Sequence, residues 1–150
     1  MMDSIYPWFK DAWTAIHKNE KLPHALIFKG KDGIGKYDFA NTFAKSYLCQ
    51  SPISNHLPCE VCSSCEWFPD SHPDFKHIAP IESDDDESSK RKTVRKKNIA
   101  IHQIRELSEY LELSAHQEKG RRIVLIEPAD SLNQAASNAL LKILEEPPEN

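Results

Sequence analysis

Two groups of residues have types and spacing suited to chemistry. Residues 30–37 read GKDGIGKY, which fits the phosphate loop G-x-x-x-x-G-K-[ST] at every position but the last. In such a loop, backbone N–H groups cradle phosphate, a lysine supplies charge, and a Ser or Thr hydroxyl ligates magnesium. Gly30, Gly33 and Gly35 can provide the first of these and Lys36 the second. Tyr37 does not replace the third, because its oxygen stands too far from the backbone and would overshoot the cation. An acidic residue at the end of a neighbouring strand should complete the cation shell, and a second carboxylate should orient the water. After the run Ile123–Ile126 come Glu127, which can reach a cation, and Pro128, which has no side-chain oxygen. The two positions that hydrolysis most needs are both defective, so no catalytic residue is assigned. ATP or ADP binding is doubtful: the alternatives are weak binding without hydrolysis and a loop kept only as a tight strand-to-helix turn.

The second group is Cys49, Cys59, Cys62 and Cys65, in the pattern C-x9-C-x2-C-x2-C. Four thiolates can close a tetrahedral zinc shell with no open position, which makes the expected site structural rather than hydrolytic. In a reducing compartment such crowding points to a metal before covalent cross-links. Four reduced, unligated cysteines are the alternative. His56 could replace one cysteine, but a fourth cysteine makes that unnecessary, and His72 and His77 read as turn or strand residues.

These groups need elements to position them. Ala25–Phe28 is a short apolar run ending in the glycine loop, as a buried strand would. After the loop, Phe39, Ala40, Phe43, Ala44, Tyr47 and Leu48 share one helical face. A strand is expected at Lys76–Ala79 after the turn at His72-Pro73-Asp74. A helix over 99–113 carries Ile101, Ile104, Leu107 and Leu111 on one side. Ile123–Ile126 reads as a strand covered on both faces, and Asn133–Glu145 as a helix with Ala136, Leu140, Ile143 and Leu144 on its apolar face. Residues 82–97 set an acidic block beside a basic one with almost no apolar content, which predicts a solvated, mobile loop. Alternating strands and helices predict an α/β fold with a parallel sheet flanked by helices.

Composition narrows the function. The 150 residues are 39% hydrophobic, enough for one ordinary core, and carry a formal net charge of −4, which argues against a globally basic nucleic-acid or membrane binder. The first dozen residues are charged, with no signal-peptide run, and no stretch reaches membrane-spanning length. A cytoplasmic setting is the default.

With these pieces in place, the chain resembles the delta-prime subunits of bacterial DNA polymerase III clamp loaders. The resemblance is carried by YPWF at 6–9, LPHALIFKGKDGIGK at 22–36, the cysteine cluster followed by HPDF at 72–75, IHQIRELSEYL at 101–111, and NQAASNALLKILEEPPE at 133–149. The motor subunits gamma and tau share the zinc module and the LLKxLEEPP helix, but keep Ser or Thr after the loop lysine and an Asp-Glu pair after the strand. Tyr37 and Glu127-Pro128 stand there instead, which favours delta-prime over an ATP-hydrolysing motor. A nucleoside or nucleotide kinase is a remote third reading, since only Arg121 and Arg122 stand near the strand end.

The resemblance implies a P-loop NTPase-type (AAA+) fold with an inserted zinc module at about 49–65. It also implies a place beside gamma/tau and delta in a hetero-oligomeric ring, within the DNA polymerase III holoenzyme, a nucleotidyltransferase assembly. That ring opens the sliding clamp and sets it on primed DNA during replication. A delta-prime subunit does not turn over ATP, and offers an arginine to its neighbour from a Ser-Arg-Cys motif beyond the EEPP helix. That motif would lie past Asn150, so no residue here takes the role. Residues 24–29 and 122–127 would lack the family's strand between them, and residues 1–150 read as a truncated AAA+ domain without the C-terminal part of its sheet.

Overall fold

The computed structural model describes residues 5–19, 21–81, 98–113 and 120–147. It is a mixed helix and strand structure: α1 (Lys10–Lys18), α2 (Lys36–Leu48), α3 (Ser63–Trp67), β1 (Phe75–Ile78), α4 (Ile101–Glu112), β2 (Ile123–Ile126) and α5 (Gln134–Glu145). The charged segment at 82–97 lies outside the described residues. The chain divides into two compact units: residues 1–76 with 115–125 and 150, and residues 77–114 with 126–149.

The first unit is organised around α2, whose apolar positions fall on two adjoining faces. Phe39 and Phe43 join Trp13 of α1 in one cluster, with Phe9, Phe28 and Leu57 packed against it. Trp13 meets both phenylalanines edge-on, at interplanar angles of 85° and 84°, an arrangement that aromatic quadrupoles favour. Its indole N–H donates to the Asn55 carbonyl at 2.8 Å, so burial leaves no polar atom of the ring without a partner. Ala44 and Leu48 turn the other way, toward Phe75, Phe68, Ile123 and Leu125.

β1 and β2 form a two-stranded parallel sheet. The N–H of Ile123 donates to the Asp74 carbonyl at 2.9 Å and that of Glu127 to the Ile78 carbonyl at 3.0 Å, both with the same sequence offset. The expected strand at Lys76–Ala79 is therefore real and begins one residue earlier. The expectation that Ile123–Ile126 is covered on both faces is corrected: all four residues are only half-buried.

A larger correction concerns Ala25–Phe28. This run forms no strand, and Ile27 is 91% exposed. An apolar run predicts burial, whereas a strand also needs a neighbour for its N–H and C=O groups. Among the described residues nothing pairs with this segment as a ladder.

In the second unit α4 packs against α5, and Ile99, Ile104, Leu107 and Ala136 are buried. A parallel bridge joins Ile99 to Leu132; the Ile99 N–H donates to the Ser131 carbonyl at 2.7 Å, and the Asn133 N–H to the Ile99 carbonyl at 3.2 Å. Asn133 then caps α5, its Oδ1 accepting from the Ala136 N–H at 2.8 Å. At the start of α4 the buried Gln103 reaches back: its Oε1 accepts from the Ala100 N–H at 3.0 Å, and its Nε2 donates to the Ala79 carbonyl at 2.8 Å.

Candidate functional site

The glycine loop leads directly into α2. Gly33 and Gly35 both adopt left-handed backbone, at φ of +75° and +92°, which a side chain would strain. Gly35 is the N-cap of α2, and no side chain caps the helix there. The ammonium of Lys36 folds back onto its own loop, donating to the carbonyls of Gly30 and Lys31 at 2.8 Å each, with the Asp32 carboxylate at 3.6 Å. Tyr37 is exposed at the second position of the helix. Glu127 belongs to the second unit, half-buried just after β2. Gly30, Gly33, Gly35, Lys36 and Tyr37 thus share one turn of chain, while Glu127 belongs to the other unit.

Sequence reasoning missed the residues that lean on this loop. The Tyr6 hydroxyl donates to the Asp38 carboxylate at 3.1 Å, and the Trp8 indole N–H donates to the Ile34 carbonyl at 3.1 Å. The two rings stack, with centroids 4.8 Å apart and planes 3° from parallel. Donation to Asp38 holds the Tyr6 hydroxyl above its ordinary value, aided by the carboxylate's charge. YPWF stood out only as a family resemblance, and nothing in it points to the loop.

The four cysteines converge. Cys49 closes α2 as its C-cap, Cys62 is the N-cap of α3, and Cys65 lies within α3. Their sulfur atoms all lie within 4.8 Å of one another, a group able to hold a metal ion. Cys49 Sγ is 3.9 Å from Cys62 Sγ, and Cys59 Sγ is 4.0 Å from Cys65 Sγ. Burial pushes the thiols of Cys49 and Cys65 up. Burial also opposes ionisation of Cys62, but backbone donors from Gln50 and Cys65 and the neighbouring thiols outweigh it and bring that group down to about 6. His56 is not among the converging residues; its ring stacks on His17, 4.7 Å between centroids. His77 is exposed in β1.

A buried polar bracket stands behind the cysteines. His72 Nδ1 accepts from the Asp74 N–H at 3.0 Å, so the proton sits on Nε2, which donates to Ser64 Oγ at 2.8 Å. Ser64 in turn donates to the Leu48 carbonyl at 2.8 Å, an orphan acceptor at the end of α2. The Asp74 carboxylate, 1% exposed, faces Arg122 Nε at 3.8 Å. His72 is thus a turn residue, as expected, and both of its ring nitrogens are engaged.

A family model described as DNA polymerase III, delta subunit, matches residues 7–150. The chain belongs to that family. Among its curated relatives, the DNA polymerase III subunit delta' of Pseudomonas aeruginosa is 35% identical over 147 residues, covering 97% of this chain and 40% of the relative. The subunit delta' of Haemophilus influenzae is 32% identical over 153 residues, with 99% and 42% covered. That of Bacillus subtilis is 34% identical over 136 residues, with 90% and 36% covered. This family member therefore spans about two fifths of the length of the curated relatives it matches. No helix among its described residues is long and apolar enough to cross a membrane.

Proposed function

We propose that the chain serves as a non-hydrolysing, delta-prime-like subunit of a DNA polymerase III clamp loader, helping to place the sliding clamp on primed DNA. The match of family and relatives along nearly the whole chain carries this reading. The relatives' name, subunit delta', favours it over the gamma or tau motor. The partners are the other loader subunits, gamma or tau and delta, in a ring, with clamp and DNA reached through the complex in the cytoplasm. Residues 1–150 are read as an AAA+ ATPase-like domain.

The site chemistry supports a scaffold rather than a motor. Gly30, Gly33, Gly35 and Lys36 keep the form of a phosphate cradle, but Tyr37 brings no hydroxyl within reach of a cation held there. Glu127 is followed by Pro128, which cannot orient a water. Lys36, engaged by two loop carbonyls, holds the turn closed from within.

The metal we assign to Cys49, Cys59, Cys62 and Cys65 is a structural zinc ion. A Zn–S distance of about 2.3 Å sets neighbouring sulfurs about 3.8 Å apart in a tetrahedron. The sulfur separations of 3.9 and 4.0 Å suit that shell. When bound, the ion supplies cross-linking and no reaction, because four thiolates leave no open position.

The test is made on the full-length protein. It should co-purify with the other loader subunits and show no ATP turnover above that of a Lys36→Ala variant. Saturable turnover that Lys36→Ala abolishes would overturn the reading.

A further inference from the structure

The contacts between residues 6–9 and 34–38 go beyond packing a terminus against a loop. A Cβ placed on Gly35 would lie 2.5 Å from the Tyr6 ring, whereas one on Gly33 would meet nothing within 4 Å. One glycine of the loop is therefore roofed by an aromatic ring and the other is open. The roof is tied at both ends, by the Tyr6 hydroxyl on Asp38 and the Trp8 indole on Ile34. It is rooted in the core by Phe9, whose ring lies 4.9 Å from that of buried Phe39. Yet Tyr6 and Trp8 themselves stay 42% and 59% exposed, so little apolar area holds them down. Beneath them, Phe39 donates the helical bond to the Gly35 carbonyl, and Gly35 as N-cap has no side chain to cap α2.

We propose that Tyr6 and Trp8 form an internal clasp over the Gly35 side of the loop, an autoinhibitory contact that must swing away before a polyphosphate can seat there. The proposal rests on reading Gly30–Lys36 as a phosphate cradle. Two hydrogen bonds and one stack, largely in contact with water, make a closure that is reversible. Phe9 supplies the pivot, because it stays in the core while the two residues near it move.

The experiment measures equilibrium binding of a fluorescent ATP analogue to the full-length protein and its variants. If the clasp is closed in nine molecules of ten or more, the apparent affinity is reduced by at least about tenfold. Tyr6→Ala should therefore bind the analogue at least about tenfold more tightly than the parent, and adding Lys36→Ala should abolish the gain. No change in Tyr6→Ala, or a gain that survives Lys36→Ala, overturns the clasp. Should Tyr6→Ala lose its helical circular dichroism, the pair Tyr6→Phe with Trp8→Phe keeps an aromatic ring at each position and removes both donors. That variant should show a smaller gain with the same dependence on Lys36, and unchanged binding overturns the proposal. Co-purification with the other loader subunits is scored separately, so a failed clasp and a failed assembly reading give different results.

Discussion

The Nε2–H of His72 lies 2.8 Å from Ser64 Oγ, and through that contact the turn ahead of β1 is tied to the short helix that carries Cys65. Ser64 passes the tie on to the Leu48 carbonyl, one residue before Cys49. Two of the four cysteines are thereby held by a hydrogen-bonded bracket that uses no metal.

His72→Ala removes the donor to Ser64 and the acceptor for the Asp74 N–H, leaving two buried polar groups without their partner. The expected cost is about 2–3 kcal/mol of unfolding free energy, read from urea titrations. Metal content should be unchanged, because His72 is not a ligand. Loss of the metal from a folded His72→Ala protein would contradict this account.

Chelation should act locally. With the ion stripped, hydrogen exchange should quicken in residues 49–67, while α4 and α5 keep their protection, since those helices pack against each other in the second unit. Cys62→Ser should reproduce the effect without chelator. Collapse of the whole helical signal would show that the module supports far more than itself.

Acid should weaken the packing of α1. Burial holds His17 below its ordinary value of 6.5, against the bond its Nδ1 makes to the Trp13 carbonyl and with help from His56. A lowered folded value means the folded state favours the neutral ring. That contribution is complete above 6.5 and is lost as pH falls through the lower folded value. Unfolding free energy should thus drop more steeply with acidification in the parent than in His17→Gln.

Asn133→Ala should cost about 1 kcal/mol, the usual loss for an N-cap whose oxygen held an N3 amide. The loss should appear as a lower urea midpoint with the same slope. Asn133→Asp keeps an acceptor next to the positive end of α5, and should retain most of the stability.

The parts of the fold and site that could be read from sequence are those whose signal is local. The helices α2, α4 and α5 appear in the spacing of Phe39, Phe43, Ile104, Leu107 and Ala136, because one turn of helix sets which side chains share a face. The cysteine group was legible for a similar reason: Cys59, Cys62 and Cys65 are near neighbours in the chain. Ala25–Phe28 misled, since its side chains describe hydrophobicity and say nothing about which backbone would bond to it. Tyr6 against Gly35 and Arg122 against Asp74 were out of reach, because only the folded path of the chain brings such partners together. The opposed charges of residues 82–97 concern a segment outside the described residues.

The closeness that suits four sulfurs to one cation also exposes them to each other. Cys49 and Cys62 stand 3.9 Å apart and, were the proposed ion lost in air, would need to approach by only about 2 Å to join covalently. Dioxygen can then lock the vacated site shut. A preparation that has lost the proposed zinc ion during aerobic handling should not regain it from added zinc salt alone: a reductant must come first.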